Sequence, residues 1–151
     1  MKKIRFEDIS VGDWIEAGDN VKLRVKYPRN RHDMITVEYL EPVVIQAMTF
    51  TETTIGIEDA RPIPITPEIL KANGFSCVEV GDKGPATPKA HYMRYEVWEC
   101  QYEWQRVRIM FDRMTKRYMV SGLQTSFVEV HRFQHLLRLF GVEKEIVLPI
   151  E

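Results

Sequence analysis

Apolar and charged residues alternate from Val21 to Tyr27, with Val21, Leu23, Val25 and Tyr27 on one face and Lys22, Arg24 and Lys26 on the other, which predicts a half-buried strand. A polar stretch, Pro28 to Asp33, follows. Ile35, Val37 and Tyr39 then alternate with Thr36 and Glu38, so the two runs are expected to pair as an antiparallel hairpin. Upstream, VGDWIEAGDN reads as a turn, a short strand centred on Trp14 and a second turn at Gly18 to Asn20. Pro42 is expected to interrupt, with short β segments at about Val43 to Phe50 and Thr53 to Ile57. Four or five short strands in the first 60 residues, without helical periodicity, predict a small barrel of SH3-like size.

RPIPITPEILKANGF, Arg61 to Phe75, breaks this pattern. Pro62 and Pro64 fix φ and push the residues before them toward extended conformations, so the stretch starts as a strap. A short helix follows. Thr66 is placed as N-cap, Pro67 as first helical residue and Glu68 near the positive dipole end. Ile65 and Leu70 occupy the staple positions, and Gly74 in the left-handed conformation places Phe75 back against Leu70. A helix this short needs tertiary packing, and Ile63, Ile65, Leu70 and Phe75 are expected to join the two halves of the chain.

The remainder is β-rich and closes on a helix. Ser76 to Val80 reads as a strand and Gly81 to Lys89 as a loop. Met93, Tyr95 and Val97 share one phase whereas Trp98, Cys100, Tyr102 and Trp104 share the other, which predicts a bulge or burial on both faces near Val97. Val107, Ile109 and Phe111 form another alternating run, and Arg117 to Val120 a further strand. Val130, Phe133, Leu136, Leu137 and Phe140 recur at helical spacing up to a stop at Gly141. The expected organisation is a β module over 1–60, a strap and capped helix over 61–75, and an antiparallel β region over 76–151 with its helix at about 129–140. The fold class is α+β, mostly β.

Composition narrows the function classes. The 151 residues are 44% hydrophobic and 28% charged, with a net charge of −1, so global charge does not favour nucleic acid or an anionic membrane. No apolar run approaches the roughly 20 residues that span a bilayer, and the start, MKKIRFEDISVGDW, carries acids early and lacks a signal peptide's continuous apolar region, so a cytoplasmic location is expected. Cys77 and Cys100 form no CxxC motif and are expected as thiols.

The order of pieces, with VGDWI at Val11 to Ile15, the strap and helix at Pro62 to Phe75 and the closing helix at Val130 to Gly141, resembles a group of short uncharacterised proteins of phage and mobile-element regions in gut anaerobic bacteria. The resemblance implies a two-part β-rich fold with a C-terminal helix, and no established activity. It carries over no catalytic residue. This chain departs from the group in placing His131 and His135 among Arg132 and Arg138.

Three clusters carry candidate chemistry. Lys22, Arg24, Lys26, Tyr27, Arg29 and Arg31 form a basic patch with an aromatic, the combination that single-stranded nucleic-acid binders use, although charges on an alternating strand also simply keep it soluble. His131 and His135 have the i, i+4 spacing of metal-binding pairs, but Arg132 stands where zincins need glutamate, and both histidines are expected on the helix's solvent face. Glu96, Glu99 and Glu103 lie among tryptophans, as glycosidase carboxylates do, yet Glu96 has the opposite strand phase and the aromatics are expected to pack. No catalytic residues, metal ligands or cofactors are assigned. The leading expectation is a non-enzymatic interaction protein with a protein partner, followed by nucleic-acid binding through the 22–31 hairpin and then by a carboxylate and histidine hydrolase.

Overall fold

The computed structural model describes residues 4–28, 34–83, 93–120, 126–143 and 145–149. It divides into two compact units: Met1–Pro64 with Glu129–His135, and Ile65–Val128 with Leu136–Glu151. Each unit contains a five-stranded antiparallel sheet, so the chain is mostly β with short helices.

In the first unit the strands are β1 (Trp14–Ala17), β2 (Val21–Tyr27), β3 (Met34–Ile45), β4 (Met48–Gly56) and β5 (Arg61–Pro62), ordered β4-β3-β2-β1-β5. Ile15, Leu23, Val25, Ile35 and Val37 point to one face and form the core with Ile4, Ile9 and Ala60. The expected β2–β3 hairpin is present, with Leu23 opposite Tyr39 and Val25 opposite Val37. A bulge after Val25 then brings Tyr27 opposite Thr36, which moves it off the buried face where the alternation placed it.

Two expectations for this unit are corrected. Among the described residues the order of strands ends at β4 and β5 without closing into a barrel. Nor does Pro42 end a strand. It lies where the β3–β4 register shifts between Glu38 and Val43, a bulge that tolerates a residue without an N–H. One long hairpin therefore replaces the two short segments expected at 43–50 and 53–57, and it turns at Gln46 and Ala47, whose φ angles are 50° and 62°. The strap continues the sheet: Ile15 pairs with Pro62, Pro64 bridges Glu129, and the Val130 N–H donates to the Ile63 carbonyl at 2.8 Å.

The second unit opens with α1 (Pro67–Ala72), whose capping follows the sequence signals closely. Thr66 Oγ1 accepts from the Ile69 N–H at 3.3 Å. At the other end Gly74 has φ +84°, its N–H donates to Lys71 O, and the Phe75 N–H donates back to Leu70 O at 3.0 Å, the paired bonds of a Schellman ending. Ile65, Leu70 and Phe75 are all buried.

The second sheet comprises β6 (Ser76–Lys83), β7 (Met93–Tyr102), β8 (Gln105–Asp112), β9 (Arg117–Val120) and β10 (Ser126–Phe127), ordered β10-β9-β8-β7-β6. Gly81 to Lys83, expected as loop, extend β6, and the rest of that loop lies outside the described residues. The phase change at Val97 and Trp98 is resolved by burial of both side chains, while β6 accommodates an extra residue, Val78, opposite them. Trp104 does not share the strand's phase: it sits in the β7–β8 turn beside Glu103 (φ 54°), 91% exposed. Phe111, Tyr118 and Phe127 stack at centroid separations of 4.6 and 5.8 Å, and burial pushes the Tyr118 hydroxyl up to about 12. The closing helix, α2 (Val130–Leu139), ends with the same grammar as α1, because the Val142 N–H reaches Leu137 O and Gly141 has φ +75°. No helix among the described residues is long and apolar enough to cross a membrane.

Candidate functional site

The α2 histidines belong to a polar cluster of the first unit in which His131 is buried and His135 half-buried. Ser10 to Asp13 form a tight turn, with the Asp13 N–H donating to Ser10 O and Gly12 (φ +89°) bonded to Val25 O. This turn directs the Asp13 carboxylate inward, where Oδ2 accepts the Ser10 N–H at 2.8 Å and lies 2.6 Å from His135 Nε2. Gln134 grips the same turn, accepting from the Trp14 N–H and donating to Gly12 O, each at 2.9 Å. His131 is 3% exposed, and its Nδ1 has no hydrogen-bond partner among the described residues. Burial pushes its pKa below the ordinary value, while the charges of Asp13 and Glu129 pull the other way.

The expectation that His131 and His135 share a solvent face is therefore corrected. The apolar period identified one packed face, but on the opposite side His131 and Gln134 are buried as well, while His135, 32% exposed, bonds the buried Asp13 carboxylate from the margin. Phe140, counted in the apolar stripe, is partly exposed instead. The cluster works as a clamp on the 10–13 turn. Among the described residues no set of three or more His, Cys, Asp or Glu side chains is placed to hold a metal ion.

The basic hairpin is interleaved with acids. Lys22 pairs with Glu16, and Lys26 lies 2.8 Å from Glu52 and 3.9 Å from Glu38. The hydrogen bond and charge of Glu52 raise the Lys26 pKa. Arg24 stands opposite Glu38 in the register, Tyr27 is exposed, and Arg29 and Arg31 lie outside the described residues. These pairs neutralise part of the charge that a phosphate chain would need.

The glutamates of the aromatic segment do not converge. Glu96 pairs with Arg113 and Glu99 with Arg108, at 2.9 and 2.8 Å, while Glu103 occupies the β7–β8 turn. A shallow groove of about 420 Å³ lies at Glu99, Gln105, Arg106, Val107, Arg108, Val120 and Phe140, and no histidine or cysteine lines it. Cys77 is exposed, Cys100 is buried, and neither forms a disulfide.

One feature went unread in the sequence: the far end of the β3–β4 hairpin. Register places Val43 opposite Phe50 and Ile45 opposite Met48, so these four share one face, with Val44 and Thr49 on the other. Apart from the half-buried Val43, all are exposed, Val44 at 67% and Met48 at 62%. β4 is also an end strand of its sheet, and its sequence, MTFTETTIG, has no proline, no basic residue and a single charge. Those are the devices that ordinarily protect an edge from strand addition. The other sheet's β6 edge has them, with a bulge at Val78 and the charges of Glu79 and Asp82. A run of short apolar residues around a turn without Gly or Asn-Gly gave no hairpin signal. Comparison with protein-family models, with curated proteins and with solved structures finds no match to this chain.

Proposed function

We propose that this chain is a non-enzymatic interaction protein whose contact surface is the β3–β4 hairpin. One observation carries the reading: an apolar hairpin end, Val43 to Phe50, is continuous with an unprotected strand edge. Exposed apolar groups of this kind mark interaction sites, and an edge supplies ordered backbone donors and acceptors. The first sheet is read as an SH3-like module in strand number and size. Its placement inside the cell and its origin in a phage or mobile element belong to the same proposal and rest on the resemblance carried by Val11 to Ile15, Pro62 to Phe75 and Val130 to Gly141. The ion pairs of Lys22 and Lys26 do not favour the nucleic-acid reading, and the separated glutamates do not favour a hydrolase.

The test places a photo-crosslinking amino acid at Met48 and, as a control, at the exposed Met114. Saturable adducts formed only from position 48, competed by unlabelled protein and lost in an Ile45→Ser/Phe50→Ser variant, are the expected result. Equal crosslinking from both positions, or adducts that survive the double substitution, overturns the reading.

A further inference from the structure

The charge pattern beside the β4 edge specifies what fits there, and the argument rests on the interaction reading above. From Met34 to Ala60 the chain carries Glu38, Glu41, Glu52, Glu58 and Asp59 and no Lys, Arg or His. Register aligns Arg24, Glu38 and Glu52 in one row across β2, β3 and β4. The row begins with a cation and then has two acids side by side, an unfavourable neighbour pair. Lys26 relieves it from the β2 side by reaching both carboxylates. The next place in the row lies beyond Glu52, on the open side of β4. At two-residue steps from Glu52 along the same face stand Phe50 and Met48, both exposed.

We infer that β4 receives an extended segment of a partner protein, added antiparallel, that sets a Lys or Arg against Glu52 and apolar side chains against Phe50 and Met48. Backbone bonds to the edge supply attachment, and the face pattern supplies selection. The inner strands already show this chemistry: β2, with the sequence VKLRVKY, lies against β3 with Arg24 opposite Glu38. A second copy of this chain is a poorer occupant. It would bring another acidic, lysine-free strand to an acidic edge, and like charges across paired strands oppose association.

The probe is the synthetic peptide RTKTVTI, whose face residues run Arg, Lys, Val, Ile, with RTETVTI as its charge-reversed control. Binding is followed by amide chemical shifts and hydrogen exchange on the full chain. The expected result is exchange protection at alternate amides of Met48–Gly56, because only every second N–H of an edge strand points outward. Affinity should fall at least tenfold for the control peptide and recover at least in part when RTETVTI meets a Glu52→Lys protein. A Phe50→Thr variant, which leaves the charge row intact, should also weaken RTKTVTI. Binding without amide protection, equal binding of both peptides, or β4 protection that rises with protein concentration in the absence of peptide each overturns the inference. If the peptide fails while crosslinking from Met48 persists, the partner's chemistry is wrong and the surface stands; if both fail, the surface is wrong.

Discussion

Asn73 and Val147, 74 residues apart in the chain, are joined by two hydrogen bonds of 2.7 Å: the Asn73 amide donates to Val147 O and its Oδ1 accepts the Val147 N–H. The same amide nitrogen reaches Ile69 O at 2.7 Å, so one buried C-cap side chain ends α1 and fixes the tail of the second unit. Asn73→Leu strands these backbone groups and is expected to lower stability by about 2–4 kcal/mol, since each buried orphan costs about 1–3 kcal/mol. Urea denaturation measures this. Asn73→Asp keeps the acceptor and loses both donated bonds, so it should be destabilising as well.

His131 sets an acid limit. Its folded pKa lies below the ordinary 6.5, so below about pH 6.5 the unfolded chain takes up a proton that the native site resists. The stabilisation from keeping the ring neutral is complete above that pH and is lost as pH falls toward the folded pKa. Denaturation midpoints should therefore decline on acidification from pH 7.5 to 5.5, and His131→Asn should flatten the decline.

Gln134 holds the 10–13 turn by a donor and an acceptor at once. Gln134→Ala leaves the Trp14 N–H and the Gly12 carbonyl without it, with an expected cost of about 2–4 kcal/mol. Gln134→Glu retains only the acceptor and should fall between that variant and the parent. Thermal unfolding orders the three.

Gly141 tests conformation in isolation, because a Cβ added there meets nothing within 4 Å among the described residues beyond its chain neighbours, yet φ is +75°. Gly141→Ala should cost about 1–2 kcal/mol from the left-handed backbone alone, and Gly141→Asn less. A calorimetric melt of each variant reads the difference.

The exposed hairpin end should be separable from folding. Ile45→Ser and Met48→Ser change groups that are already exposed, so each should stay within about 0.5 kcal/mol of the parent in urea.

How much was legible depended on whether the determining contact was local. Thr66, Pro67, Gly74 and Phe75 act within a few residues of each other, and α1 has the caps its sequence spells out. The buried row Leu23, Val25, Ile35 and Val37 follows from alternation alone. Tyr27 left that row because a bulge, which alternation does not encode, intervened. His131 was read as solvated because helical period counts apolar residues, whereas its side of the helix is tied through Gln134 to a turn 120 residues earlier in sequence. The hairpin end was obscured by Pro42, taken as a terminator, and by Gln46 and Ala47, ordinary residues forced to positive φ.

The first unit also has a history that follows from its membership. Ile63 accepts its bond from Val130, and Pro64 meets Glu129, yet the whole of β6 to β10 is translated between these partners. At about 5–20 residues per second, the ribosome delivers Val130 several seconds after Ile63. During that interval the nascent strap has no α2 partner, so slowing or pausing translation within 65–128 prolongs the time for which the first unit stays incomplete.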